Sequence, residues 1–211
     1  FPVSFPVIPG CDGAGIVQAV GNQVKNFKPG DAVYFSQPGF NQRQGTYAEY
    51  VMVDASLLAL KPHSLSFEQA AAAPLVLITA WEALYDRARI TDGQTVLIHA
   101  GAGGVGHVAI QLAKLAGARV ITTVSNAEKA NFVKRLGADQ IIHYPTQDVI
   151  AEVLQYTDGK GVDIALDTVG ADVLQSCFSC IKPYGDVVTI LQPTKDTDWG
   201  EARKRNVRFS L

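Results

Sequence analysis

The sequence predicts an α/β fold built on a doubly wound parallel sheet of six strands, preceded by a shorter β-rich region. From Thr95 onward, apolar runs of strand length alternate with stretches of helical periodicity. This alternation is typical of a parallel sheet with helices on both faces. The predicted strands are residues 95–100, 119–124, 140–143, 162–167, 186–191 and 206–211.

Residues that are typical of helix starts and helix ends predict where the helices lie. In the second half of the chain they are predicted to begin near Gly104, Asn126, Thr146, Ala171 and Trp199. Ser125 and Glu128 have the spacing of a capping box, in which two side chains satisfy backbone N–H groups at a helix start. Gly137 is predicted to end the same helix. Earlier in the chain, Ser66 is predicted to start an alanine-rich helix.

The first ninety residues follow a different pattern. Short apolar or alternating runs predict strands at 15–20, 31–35 and 47–53. Pro74 interrupts the helical pattern that follows, which then continues over 76–88. The change of pattern near Ile90 predicts a boundary between two domains, 1–90 and 91–211.

Composition limits the class of protein. The chain has 211 residues, a formal net charge of −2 and 47% hydrophobic residues, as in an ordinary globular protein. This charge gives no reason to expect nucleic acid or an anionic membrane as a partner, and no apolar run is long enough to span a bilayer. Three cysteines do not indicate a disulfide framework, so we expect the reducing cytoplasm.

Glycines follow the first strand of the predicted sheet. Gly101, Gly103 and Gly106 match the dinucleotide fingerprint G-x-G-x-x-G, with a strand before it and a helix after it. The first glycine permits a tight turn, the second permits close approach of a pyrophosphate, and the third packs the helix on the strand. N–H groups at the helix start, from Gly104 and Val105, can then bind the phosphates. We therefore predict a dinucleotide site; the alternative is a purely structural turn.

The end of the second strand predicts which coenzyme binds. Enzymes that use NAD usually have Asp or Glu there, which binds the ribose 2′-hydroxyl. After Val124, no acidic residue occurs until Glu128. Ser125 and Asn126 offer hydrogen-bond donors and Lys129 offers charge, which suits a 2′-phosphate. We therefore predict NADPH; the alternative is that Ser125 only caps the helix and Lys129 only faces solvent.

Two other patterns are interpreted as structural. Cys177 and Cys180 have the C-x-x-C spacing of redox and zinc sites, but they lie on one continuous apolar helical stripe and no second pair occurs. We expect both thiols to face the core. The scattered histidines are His63, His99, His107 and His143. None has a nearby serine or cysteine in a nucleophile arrangement, so acyl transfer is not supported.

Several motifs together resemble the medium-chain dehydrogenases/reductases, over essentially the whole chain. Besides the glycine cluster, they are residues 9–17, 20–31, 45–51, 77–80, 137–139 and 167–170. The resemblance is closest to the quinone oxidoreductase branch, which lacks zinc and uses NADPH. It implies a Rossmann domain and a β-rich GroES-like catalytic domain split around it. The chain contains only part of that catalytic domain, so we expect a fragment of a longer enzyme.

The resemblance implies roles for residues outside the fingerprint. Tyr144 would lie along the adenine or its phosphate, and Val169 and Gly170 would border the ribose. Thr79 would lie near the nicotinamide, although a helical hydroxyl bonded to a preceding carbonyl explains it equally well. Residues 189–192 depart from relatives, which commonly have a glycine there, so contacts to the nicotinamide amide are not predicted.

The resemblance also bears on metal binding. Where zinc alcohol dehydrogenases have a metal-binding histidine this chain has Cys11, followed by Asp12, and a further ligand position falls near Leu75. Leucine cannot bind a metal, and residues 36–44 hold none of the cysteines of a structural-zinc loop. We expect no metal; the alternative is that Cys11 and Asp12 bind one with a partner upstream.

These features predict an NADPH-dependent oxidoreductase that transfers hydride to a quinone or an electron-poor alkene without zinc. The coenzyme carries the chemistry and the protein positions it. No residue is a convincing proton donor, so no catalytic residue is assigned. The alternatives are an enoyl-thioester reductase, including a module of a larger synthase, and a non-catalytic NADPH-binding structural or interaction protein. The expected assembly is a homodimer.

Overall fold

The computed structural model describes residues 5–37 and 45–211. The chain groups into two compact units, Phe1–Val76 and Leu77–Leu211. The predicted domain boundary near Ile90 falls inside the second unit and stays a prediction. In the described part of the chain, no helix is long and apolar enough to cross a membrane.

The first unit contains a three-stranded antiparallel sheet in the order β1-β2-β3. Its strands are β1 (Asp12–Ile16), β2 (Ala32–Ser36) and β3 (Leu58–Leu60). Val33 and Phe35 are buried and alternate with half-buried neighbours, so one face of β2 forms the core of this unit. The β-rich character predicted for the first region is confirmed.

The strand predicted over 47–53 is wrong, because those described residues form bends and irregular backbone. The N–H groups of Gly45 and Tyr47 donate to the carbonyl oxygens of Ile8 and Pro9, at 2.8 and 3.0 Å. A Cβ on Gly45 would overlap the backbone of Pro9. The chain leading into this segment is therefore held by close contacts with residues before β1 rather than by a regular ladder.

The helical connection begins as predicted. The Ser66 hydroxyl accepts from the Gln69 N–H at 3.2 Å, and the Gln69 side chain accepts from the Ser66 N–H at 3.0 Å, which caps helix α1 (Phe67–Ala71). Helix α2 (Pro74–Trp81) starts with a proline, whose missing N–H is not needed at a helix start. A π-helical segment, Glu82–Arg87, follows it.

The second unit contains a six-stranded parallel sheet in the order β6-β5-β4-β7-β8-β9. Its strands are β4 (Thr95–Ile98), β5 (Arg119–Val124), β6 (Gln140–His143), β7 (Val162–Asp167), β8 (Ile181–Thr189) and β9 (Arg208–Ser210). The chain order reverses beside β4, and the carboxyl edge at such a switch point is where ligands bind. The predicted doubly wound α/β fold is confirmed.

Helices cover both faces of this sheet. They are α3 (Gly104–Leu115), α4 (Ala127–Arg135), α5 (Val149–Tyr156), α6 (Asp172–Cys180) and α7 (Gly200–Lys204). Val96 and Ile98 join one buried cluster and Leu97 joins the other, as expected for a strand buried on both sides. Cys177 and Cys180 are fully buried, which confirms their packing role. Burial raises the pKa of the Cys180 thiol to about 12.

One predicted helix cap and one predicted helix start are wrong. Helix α4 is capped by Asn126, whose Oδ1 accepts the backbone N–H three residues later at 2.9 Å. The capping box predicted between Ser125 and Glu128 is therefore wrong, because the next residue supplies the acceptor. Helix α5 begins after Asp148 rather than near Thr146, because the Asp148 carboxylate accepts two backbone N–H groups of its first turn.

Candidate coenzyme-binding site

The glycine-rich turn lies between β4 and α3, at the carboxyl edge of the parallel sheet. A Cβ on Gly101 would overlap the Thr122 hydroxyl oxygen, and one on Gly106 would overlap the Ala100 carbonyl oxygen. Gly103 is less confined, with the Ala100 oxygen 3.1 Å from a Cβ built there. Ala100 itself has a φ of 48°, in the left-handed region. The first glycine is therefore required by the close approach of the Thr122 side chain, and the third by the close approach of the Ala100 backbone.

Buried hydroxyl groups of β5 hold this turn in place. The Thr123 Oγ1 accepts from the Ala100 N–H at 3.0 Å, and the Thr123 carbonyl accepts from the Gly101 N–H at 3.1 Å. The Thr122 hydroxyl donates to the Ile98 carbonyl at 2.7 Å. Neither threonine was predicted as a site residue, although two hydroxyls in an otherwise apolar strand were a usable signal. They preorganise the turn because their bonds are shielded from water.

Helix α3 presents an open amino terminus beyond the turn. Its N-cap is Gly103, so no side chain occupies the cap. Gly103 and Gly104 are exposed and Val105 is half-buried. The first N–H groups of a helix lack intrahelical partners and lie at the positive end of its dipole. These groups can therefore bind an anionic pyrophosphate.

The residues predicted to bind the adenosine end meet at one corner of the same edge. The Tyr144 N–H donates to the Val124 carbonyl at 3.3 Å, which joins the ends of β6 and β5. The Tyr144 side chain is exposed. Ser125 is half-buried, while Asn126 and Lys129 are exposed at the start of α4. The capping role of Asn126 occupies its side-chain oxygen and leaves the amide nitrogen as a donor.

A cavity of about 400 Å³ joins the glycine-rich turn to α4. It is lined by Ala102, Glu128, Lys129, Asn131, Phe132 and Arg135. Within the described residues, Lys129 forms no ion pair, so its charge is available to a ligand. Ser125 and Asn126 are not among the lining residues. Arg135 was not predicted; its i, i+7 spacing from Glu128 in the same helix was the available signal.

The loop after β7 is ordered by a buried carboxylate. Asp167 Oδ1 accepts from the N–H groups of Val169 and Gly170, both at 2.9 Å, and Oδ2 accepts from the Thr189 hydroxyl at 2.9 Å. Gly170 has a φ of 84°, and Val169 is exposed at the tip of the loop. This places the two predicted ribose neighbours at the carboxyl edge. Asp167 itself was not assigned a role from the sequence.

Thr79 lies beside the carboxyl end of β8. It lines a cavity of about 160 Å³ together with Glu82, Ala83, Arg87, Val188, Thr189, Ile190 and Leu211. Sequence analysis placed Thr79 near the nicotinamide only by resemblance. Its position in the second unit is compatible with that role, which stays a prediction.

His99 extends the buried network behind the turn. Its Nδ1 lies 3.5 Å from the Thr123 hydroxyl, and its backbone carbonyl accepts from the Thr168 hydroxyl at 2.9 Å. Burial lowers the pKa of His99 to about 4, against a smaller raising effect of Asp167. The ring is therefore neutral at physiological pH. Through its backbone and side chain, His99 connects the glycine-rich turn with the loop after β7.

The positions aligned with zinc ligands do not suit a metal. The Asp12 carboxylate accepts from the Leu75 N–H at 3.0 Å, so one of its oxygens bonds to backbone. Leu75 has no donor atom in its side chain, and over residues 5–37 and 45–211 no three His, Cys, Asp or Glu side chains group as a metal site. The predicted lack of a structural-zinc loop concerns residues 36–44, most of which lie outside the described residues. The Leu75 position therefore offers no metal ligand, and a zinc-free reaction stays a prediction.

These features are those of a doubly wound α/β fold with a glycine-rich turn at its switch point, where proteins of this fold class bind dinucleotides. Family models agree with both parts of the chain. Residues 1–63 match the alcohol dehydrogenase GroES-like domain, and residues 104–203 match the domain described as zinc-binding dehydrogenase.

Individual relatives come from the same superfamily. The quinone oxidoreductase of Pseudomonas aeruginosa is 39% identical over 181 residues, which are 85% of this chain and 54% of that protein. The reducing polyketide synthase PKS1 of Cochliobolus heterostrophus is 34% identical over 87% of this chain, but only 7% of that protein is covered. The crystal structure of Escherichia coli quinone oxidoreductase complexed with NADPH has a TM-score of 0.88 and 33% identity, covering 99% of this chain and 64% of that one.

The chain belongs to the medium-chain dehydrogenase/reductase superfamily. It contains the Rossmann sheet of that superfamily and a small antiparallel sheet that matches its GroES-like domain. It spans between about one half and two thirds of the two quinone oxidoreductases.

Proposed function

We propose that the protein is an NADPH-dependent oxidoreductase that transfers hydride to a quinone or an electron-poor alkene. The end of β5 carries this proposal. Val124 is followed by Ser125 and Asn126, with no carboxylate, and Lys129 is exposed close by. A 2′-phosphate would find donors and a cation there, whereas the usual NAD-binding acid would repel it. A relative whose structure is described with NADPH supports the same coenzyme.

The chain's own residues would act along the carboxyl edge of the sheet. The N–H groups of Gly104 and Val105 bind the pyrophosphate at the start of α3. Val169 and Gly170, held by Asp167, border the ribose, and Thr79 lies towards the nicotinamide. Bound NADPH supplies the hydride, while the protein orients it against the acceptor. A hydroquinone anion is stabilised by its ring, so solvent can supply its proton.

Zinc has no part in the proposed reaction, because Cys11, Asp12 and Leu75 do not form a ligand set. We expect full NADPH oxidation after dialysis against a chelator. The measurement is metal analysis of the purified gene product together with its rate before and after chelation. One zinc per chain and a rate lost to the chelator would contradict the proposal.

Titration with both coenzymes tests the central claim. Protein fluorescence is followed with NADPH and NADH at the same ionic strength, and turnover is then measured with a panel of quinones. We expect tighter binding of NADPH by about tenfold or more, since charge-assisted bonds to the 2′-phosphate contribute about 1.5–3 kcal/mol each before screening. Equal affinities would show that this corner does not recognise the phosphate. Tight binding without turnover would instead identify a non-catalytic NADPH-binding protein.

An enoyl-thioester reductase is the second candidate. The polyketide synthase that matches 87% of this chain favours it. Comparing kcat/KM for a quinone with that for an enoyl thioester separates the two substrate classes. The quinone assignment requires the higher value for the quinone.

We also infer a homodimer from the family resemblance and a cytoplasmic location from the cysteine content. Light scattering of the purified gene product and cell fractionation test the two parts of this inference. A monomeric mass at micromolar concentration would overturn the first part, and recovery outside the cytoplasmic fraction would overturn the second.

A further inference from the structure

A second polar cavity lies at the opposite edge of the parallel sheet from the coenzyme site. Its volume is about 130 Å³, and it is lined by Thr95, Arg119, Tyr156, Thr157, Asp158, Lys160, Gly161 and Lys182. Thr95 and Arg119 are the first residues of β4 and β5, and Gly161 directly precedes β7. In a parallel sheet the amino ends of the strands share one edge. The cavity is therefore separate from the glycine-rich turn.

Positive side chains outnumber negative ones in this cavity, although the chain has a net charge of −2. Three of the 18 Lys and Arg residues line it, against one carboxylate, Asp158. Lys182 is paired with Asp163 at 2.7 Å. Neither Arg119 nor Lys160 forms an ion pair within the residues that the structure describes. Two cations thus converge on one small cavity with no carboxylate bound to them.

The walls of the cavity are fixed by hydrogen bonds. Asp163 accepts from the Lys182 ammonium at 2.7 Å and from the Thr95 N–H at 2.8 Å, which ties β4, β7 and β8 together. The Thr157 hydroxyl accepts from the Gly161 N–H at 3.0 Å, which holds the loop that carries Lys160. The backbone of the cavity and the Lys182 side chain are therefore held in place before an anion binds.

We propose that this cavity binds inorganic phosphate as the hydrogen phosphate anion. Its volume is well below the roughly 300–1,000 Å³ of sites for drug-sized ligands, so it suits one compact oxyanion rather than a nucleotide. Arg119 and Lys160 supply charge and donors for the phosphate oxygens, and arginine in particular matches their geometry. Asp158 accepts from the P–O–H group, which hydrogen phosphate retains at neutral pH.

The Asp158 carboxylate should make the cavity selective among anions. Sulfate carries no proton at neutral pH, and a phosphate monoester loses its last P–O–H proton with a pKa of about 6. Either anion would face Asp158 without a hydrogen to donate. The cavity should therefore prefer inorganic phosphate over sulfate and over phenyl phosphate at pH 8. This inference does not depend on the coenzyme or on the acceptor.

Phosphate titration followed by assigned backbone amide shifts tests the site. We expect saturable shifts at Gly161 and Lys182 that are independent of any shifts at Gly104. The double variant Arg119→Gln/Lys160→Gln should bind phosphate at least fivefold more weakly. The matched control, Lys25→Gln/Arg203→Gln, removes the same charge from exposed positions outside the cavity and should bind like the unchanged protein.

Three results would overturn the proposal: no saturable shift at Gly161, equal phosphate affinity in the two double variants, or binding of sulfate or phenyl phosphate at least as tight as that of phosphate. Asp158→Asn tests the selectivity directly, because an amide can donate to sulfate. This substitution should lower the ratio of phosphate affinity to sulfate affinity by at least threefold. An unchanged ratio would show that Asp158 does not determine the selectivity. Thermal unfolding of each variant checks that the fold is retained.

Discussion

His99 is a titratable side chain held neutral in the interior of the second unit. It is 3% exposed, and in the described part of the chain its Nε2 has no hydrogen-bond partner. Burial disfavours the imidazolium, which is why the pKa falls from 6.5 to about 4. A proton on this ring would introduce a charge behind the glycine-rich turn, where Thr123 holds the backbone of Ala100.

The buried histidine predicts how stability depends on pH. The pKa of His99 is lower in the folded state than in the unfolded state. Between pH 6.5 and 4 the unfolded state therefore binds more protons than the folded state. As a result, the free energy of unfolding falls as the pH decreases through that range. The loss is about 3 kcal/mol at most for a shift of this size. Urea unfolding measures how much the free energy of unfolding falls between pH 7.5 and pH 4.5. This decrease should be smaller for His99→Gln than for His63→Gln, the exposed control. Equal losses would show that His99 does not cause the dependence.

The charge of Lys129 is expected to contribute to the preference for NADPH over NADH. Lys129→Ala should weaken NADPH binding by about tenfold and leave NADH binding nearly unchanged, because only NADPH carries the 2′-phosphate. Lys134→Ala is the matched control, since it removes an exposed lysine from the same helix outside the cavity. The difference should shrink as salt concentration rises. A loss shared by both coenzymes would mean that Lys129 does not recognise the phosphate.

At the scale of elements, the start of α4 shows how neighbouring residues compete for one cap. Asn126 supplies the acceptor in the structure, whereas the sequence pattern favoured Ser125. Asn126→Ala should therefore lower the free energy of unfolding by about 1 kcal/mol, while Ser125→Ala should change it little. Denaturant unfolding of the two variants decides between them. The reverse order would restore the capping box that the structure contradicts.

The loop after β7 is an element organised by one carboxylate. Asp167→Ala would leave the N–H groups of Val169 and Gly170 without their acceptor, and the Thr189 hydroxyl would keep only the Leu191 carbonyl. We expect a loss of about 2 kcal/mol or more in the free energy of unfolding, together with weaker binding of both coenzymes. Asp172→Ala, at an exposed position in the first turn of α6, is the control. Unchanged stability in Asp167→Ala would show that the loop is held by other contacts.

At the scale of the whole molecule, coenzyme binding should stabilise the fold by mass action. With NADPH at 100 times its Kd, the free energy of unfolding should rise by about 2.7 kcal/mol. Gly103→Asp should abolish the rise, because a carboxylate at the N-cap suits the helix but repels the pyrophosphate. Urea unfolding with and without NADPH measures both effects. The same stabilisation in Gly103→Asp would show that the coenzyme binds elsewhere.

The sequence by itself determined the architecture of the second unit and predicted where its coenzyme site lies. Hydrophobic periodicity changes from strand to helix within a few residues, and the carboxyl ends of parallel strands must share one edge. Gly101 and Gly106 could be assigned because the fingerprint spacing falls between a predicted strand and a predicted helix. These features depend on residues near one another in the chain, so a pattern is enough to predict them.

Only the tertiary structure decided the features that depend on which distant segments meet. Residues 47–53 have an alternating pattern, but contacts with residues before β1 hold the chain at their start. Asp167 has an organising role because Thr189 reaches it from the next strand. Arg119 and Lys160 come together at one cavity although they are far apart in the chain. Long-range hydrogen bonds and burial are set by the packing of the complete sheet, and no local pattern specifies them.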